Sequence, residues 1–150
     1  MRPAVTPLIF KSYLAVIENS PGTAMFRQFY ALVEGIEQEI MRNGDLSCAF
    51  FASTVLAMFR LIERGHGTVA GTIRDLEKAG WVTVEAPRRG AVVLWEAKVD
   101  ERGESHQHIG FAVSDNEAIS NSSADRSPAR HPINTRPVQA IYWLPGLETR

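Results

Sequence analysis

Leu76-Glu77-Lys78-Ala79-Gly80-Trp81-Val82-Thr83-Val84 changes its hydrophobic period in the middle. Before Gly80, the residues Val69, Ile73 and Leu76 recur at helical spacing, Thr68 can cap the start, and Lys78 with Gly80 marks the stop. After it the chain breaks into short runs rich in β-branched and aromatic residues: Trp81 to Val84, Ala91 to Trp95, His108 to Val113, Ala118 to Ser120 and Val138 to Trp143. Upstream the pattern reads as helices. Pro7 to Ile17 is closed by Asn19-Ser20-Pro21-Gly22. A second helix is expected from Thr23, with Phe26, Phe29, Leu32, Val33, Ile36 and Ile40 on one face and Asn43-Gly44 as the stop. A third, capped by Asp45 or Ser47, carries Cys48, Phe51, Val55, Met58, Phe59 and Ile62. Asn121 to Pro137, rich in Ser, Pro, Arg and Asn, reads as a long loop. Helices first and strands afterwards predict an α+β fold, with N-terminal helices packed on an antiparallel sheet.

With 150 residues, 45% hydrophobic and 22% charged, the chain suits one domain spanning residues 1–150. A net charge of -1 gives no general affinity for nucleic acid or anionic lipid. Its one cysteine cannot form an internal disulfide, and no segment reaches the roughly 20 apolar residues that span a bilayer. Pro3 and Pro7 interrupt the residues after Arg2, so no signal peptide is visible and a cytoplasmic location is the expectation.

The chemistry gathers around Cys48. A thiol in the first turn of a helix lies near unsatisfied amides and the positive end of the macrodipole, both of which favour the thiolate. It needs a base. His106 and His108 head a strand and share a face with Gly110 and Ala112, while Ile109, Phe111 and Val113 face the other way. The small Gly110 and Ala112 leave room for a helix carrying Cys48.

Asp45-Leu46-Ser47-Cys48-Ala49-Phe50-Phe51, Pro87-Arg88-Arg89-Gly90-Ala91-Val92-Val93-Leu94-Trp95 and His108-Ile109-Gly110-Phe111-Ala112-Val113 resemble, in that order, the three core blocks of NlpC/P60 and CHAP-type cysteine peptidases of the papain-like superfamily. The resemblance covers about Asp45 to Ser122 and implies a papain-like core over 45–144, preceded by a helical N-terminal extension over 1–44. It implies Cys48 as nucleophile, His108 as base and Asn121 as the residue that orients the imidazole, with Asp115 and His131 as rivals for that third role. The activity implied is hydrolysis of an amide through a thioester, with cell-wall peptides among the substrates and no metal or organic cofactor. His106, His131 and Arg130 are candidate substrate contacts; a guanidinium from Arg126, Arg130 or Arg136 can clamp a carboxylate. The chain departs from the family in having Ser47-Cys48-Ala49-Phe50 for Asp-Cys-Ser-Gly and Gly90-Ala91 for Gly-Asp, and it has no upstream Tyr-x-x-Gly-Gly. Substrate recognition is therefore not implied.

Three other readings compete. Thr68 to Val82 looks like the recognition helix and first wing strand of a winged-helix module, with Arg88-Arg89 at the wing tip, but Asp75 and Glu77 offset Arg74 and Lys78, so nucleic acid is not the expected partner. Cys48, His106 and His108 are suitable zinc ligands without any familiar metal spacing. A papain-like domain that binds without catalysing is the third. Trp81, Trp95, Tyr142 and Trp143 fit sheet packing better than a glycan cleft.

Overall fold

The computed structural model describes all 150 residues, Met1–Arg150. The chain opens with α1 (Ile9–Asn19), whose Tyr13, Leu14 and Ile17 are buried. A hairpin of β1 (Tyr30–Val33) and β2 (Ile36–Glu39) follows where the sequence predicts a second helix. Glu34 and Gly35, at φ 51° and 81°, form the two-residue connection, and both central residues at positive φ give the turn whose twist suits a hairpin. The apolar residues that mimic helical spacing are largely outside: Tyr30, Leu32, Val33 and Ile36 are all exposed. The N-terminal 44 residues are thus not a helical extension. Only α1 is helical there, and it belongs to the main core, where its Tyr13 ring meets Phe111 edge-on at 5.8 Å.

Helix α2 (Cys48–Met58) follows, with Cys48 as its first residue; Ser47 precedes it without a side-chain capping bond. It is apolar nearly all round because it is packed on several sides, by Phe51 against Phe111 and by Phe26 and Phe29 against Phe50. Helix α3 (Val69–Lys78) is capped as expected, the Thr68 side chain accepting the Gly71 amide.

The strands β3 (Val82–Val84), β4 (Val92–Val99), β5 (Ser105–Ala112), β6 (Glu117–Ser122), β7 (Ser127–Pro132) and β8 (Val138–Trp143) form one antiparallel sheet in the order β3-β8-β4-β5-β6-β7. The α+β expectation therefore stands, with a longer sheet than predicted. The middle of the expected loop is β7, paired to β6 from Glu117↔Pro132 to Ser122↔Ser127. A winged helix would need β3 and β4 hairpinned together, but β8 lies between them. The supposed wing tip is tied down, Arg89 to Glu18 at 2.7 Å and Arg88 over the Trp143 ring at 3.8 Å. No helix is long and apolar enough to cross a membrane.

Candidate active site

The site forms where the sheet is incomplete. Strand β6 pairs with β5 only from Gly110 to Ala112, so the Gln107 carbonyl and the Ile109 amide have no strand partner on that side. The first turn of α2 fills the gap. The Cys48 thiol approaches the Gln107 carbonyl oxygen at 4.0 Å, and the Ile109 amide faces the sulfur. The residue between those two contacts is His108.

The sheet also decides which side chains meet the imidazole. Trp95 lies opposite His108, Ser120 lies opposite Gly110, and His131 lies opposite Ala118. Alternation puts all of them on one face. Ser120 Oγ stands 2.7 Å from His108 Nε2 and 2.6 Å from His131 Nε2. His131 Nδ1 lies 2.8 Å from the Pro132 carbonyl oxygen.

These contacts settle the proton positions of the neutral chain. A carbonyl only accepts, so His131 carries its proton on Nδ1 and leaves Nε2 as an acceptor. The Ser120 hydroxyl then donates to His131 Nε2, and its oxygen accepts from His108 Nε2–H. His108 is left with a bare Nδ1. That nitrogen has no hydrogen-bond partner in the protein and is not sealed from solvent, and both His108 and Cys48 line one cleft of about 890 Å3.

Trp95 backs the two imidazoles at ring-centre distances of 5.2 Å to His108 and 5.5 Å to His131, and is itself anchored by Nε1 donating to the Ile133 carbonyl at 2.7 Å. Burial, the Arg136 guanidinium and His131 together push the His108 pKa down to about 3. Burial also pushes the Cys48 thiol up, more than the amides of Ile109 and Ala49 and the charge of Arg136 pull it down. The first-turn position thus does not by itself make a thiolate. At neutral pH the Cys48 thiol and the His108 imidazole are both uncharged. Helix α2 packs through Phe51 on the Phe111 face of β5, and His108 alternates to the other face, so the helix does not occupy the side of the sheet that the sequence predicts.

Several sequence-based assignments change. Asn121 does not orient His108: it lies on the opposite face of β6 from Ser120, and its Nδ2 donates to the Gly44 carbonyl at 2.8 Å. It holds the loop that leads into Cys48, together with Ser123, which donates to the Asp45 carbonyl, and Arg126, which donates to those of Arg42 and Asn43. Asp115 takes no part in the chain of bonds. His131 belongs to the proton chain and is not on the cleft wall, while Arg130 points to Glu117 at 3.9 Å, away from the cleft. His106 stays at the cleft, but its Nε2 is shared by Asp100 at 3.0 Å and Glu104 at 3.3 Å. Cys48, His106 and His108 do not converge as zinc ligands, since each turns to a different partner.

Gly110 serves this site differently from the sequence expectation. A Cβ there would meet Ser120 Cβ at 2.6 Å and the Ile119 carbonyl oxygen at 2.7 Å, so the glycine admits β6, and with it the Ser120 hydroxyl, rather than a helix. Ser120 itself is the residue missed. The signal available was parity: an even-numbered partner on the next strand shares the face of His108 when Gly110 opposes Ser120. Comparison with protein-family models, curated proteins and solved structures finds no match.

Proposed function

We propose that this chain is a thiol hydrolase of papain-like type, a cysteine peptidase or amidase with Cys48 as nucleophile and His108 as base. One observation carries the reading. The Cys48 sulfur lies against the backbone on either side of His108, at the open edge of β5, and the two residues line one cleft.

The protons can be followed. As the sulfur attacks an amide carbonyl, its proton passes to His108 Nδ1, and the imidazolium so formed keeps Nε2–H on Ser120. The developing oxyanion lies near the amides of the first turn of α2, including that of Cys48. His108 then gives its proton to the leaving amine, the C–N bond breaks, and a thioester remains. Water, deprotonated by the same Nδ1, cleaves it and restores the thiol. Because both groups start neutral, the proton moves with the attack instead of resting in a preformed ion pair. The resemblance to NlpC/P60 and CHAP peptidases supports peptides, including those of cell walls, as the substrates to try first.

The experiment is incubation of the protein with murein fragments and a peptide mixture, followed by mass spectrometry. Cleavage that vanishes in Cys48→Ala and falls roughly 10³-fold or more in His108→Ala is expected. Undiminished cleavage in either variant would overturn the assignment.

A further inference from the structure

We infer that Arg136 anchors a carboxylate of the substrate, so that the amide cleaved lies in a peptide or acylated amino acid that carries a free carboxyl group. This rests on the reading of Cys48 and His108 as nucleophile and base, and adds the substrate class.

Arg136 is held from both sides along the chain. The 3-10 turn Ile133–Thr135 before it is pinned by Trp95 Nε1 at 2.7 Å, and Pro137 after it accepts the Glu96 amide at 2.9 Å. The side chain is half-buried and lines the cleft with Cys48 and His108. Its charge bears on both reacting groups, lowering the proton affinity of each. Yet it has no carboxylate within 4.0 Å. Arg42, Arg89 and Arg130 have acidic partners, Arg126 is spent on backbone carbonyls, and Arg88 lies on an indole. The one hydrogen bond of the Arg136 guanidinium is to the His106 carbonyl at 3.5 Å. Most of its five donors are free.

The nearby acids do not answer it. Asp100 is occupied by the amides of Arg102 and Glu104 and by His106, Glu104 by Arg42, and Asp45 and Glu101, which also line the cleft, stay more than 4.0 Å from the guanidinium. A half-buried cation on the wall of a cleft, with a planar fork and no partner, is suited to a carboxylate that arrives with the substrate.

The test uses two alkylating agents in which the sulfur displaces iodide, iodoacetate with a carboxylate and iodoacetamide without one. Wild type is expected to prefer iodoacetate over iodoacetamide more strongly than a free thiol does, with free acetate slowing only the iodoacetate reaction. In Arg136→Gln the ratio of the two rates should fall roughly 5- to 10-fold, and Arg136→Lys should retain part of it. An equal ratio in wild type and Arg136→Gln, or no protection by acetate in wild type, would overturn the proposal. The acetate arm needs no variant to fold. Loss of the pair reading shows separately, as rates with both reagents that ignore His108→Ala while the ratio persists. The substrate class is read with peptides carrying a free or an amidated carboxyl group near the scissile bond: preference for the free acid that disappears in Arg136→Gln supports the assignment, and equal cleavage of the two overturns it.

Discussion

The Ser120 hydroxyl oxygen lies 2.7 Å from His108 Nε2. Because Ser120 spends its one proton on His131, whose own proton is committed to the Pro132 carbonyl, the contact fixes the tautomer of His108 as well as its orientation. Nitrogen NMR of ring-labelled protein at pH 7 is expected to show His108 with a protonated Nε2 and a bare Nδ1. In Ser120→Ala the two tautomers should mix. A protonated Nδ1 in the wild type would mean that the chain of donors runs the other way.

Ser120 and Asn121 are neighbours with opposite duties. Ser120→Ala should lower the alkylation or turnover rate on the order of 10- to 100-fold, as loss of an orienting partner does. Asn121→Ala removes the bond to Gly44 and should cost about 1–2 kcal/mol by urea denaturation. Its rate should change less than that of Ser120→Ala. The reverse ranking would restore Asn121 to the third catalytic place.

Gly110→Ala tests the same geometry from the backbone. The added methyl meets Ser120 Cβ and the Ile119 carbonyl, so β5 and β6 must part locally and Ser120 must retreat from His108. Combined loss of thermal stability and of the Nε2-protonated tautomer is expected. A variant with wild-type melting and wild-type His108 resonances would show that the strands have slack.

The depressed pKa of His108 makes stability depend on pH. In the folded state this ring takes up a proton near pH 3, whereas in the unfolded chain it does so near 6.5. Between those values the unfolded state binds more protons, so stability rises with pH across the window and is lost as pH falls through it. Each unit of that shift is about 1.4 kcal/mol. Urea melts at pH 7 and pH 5 should therefore show a larger loss for wild type than for His108→Gln. Equal losses would mean that the imidazole is not buried as neutral.

Much of this fold is legible locally. Helix α3 announces both its ends, and the sequence predicts β8 at its full length from Val138 to Trp143. The hairpin is not legible, since Phe26, Phe29, Leu32, Val33, Ile36 and Ile40 fall at helical intervals while the Glu34-Gly35 turn carries a glutamate where Asn or Asp is the usual signal. Strand β7 was hidden by Pro128 and Pro132. As the outermost strand it can hold prolines whose missing amides would otherwise leave a ladder incomplete. The same strand brings in His131, so its prolines also conceal the far end of the proton chain. Cys48 and His108 could be singled out from residue type and position; the partner of the base required a register that no local pattern contains.

The most direct measurement of the central claim is the rate of Cys48 alkylation by iodoacetamide, followed from pH 5 to 10 in wild type and in His108→Ala. The neutral pair predicts base-assisted reaction near neutrality that falls roughly 10- to 100-fold when the imidazole is removed, with the two curves converging as the thiol ionises on its own at high pH. Superimposable curves across the whole range would show that the sulfur and the imidazole do not act together.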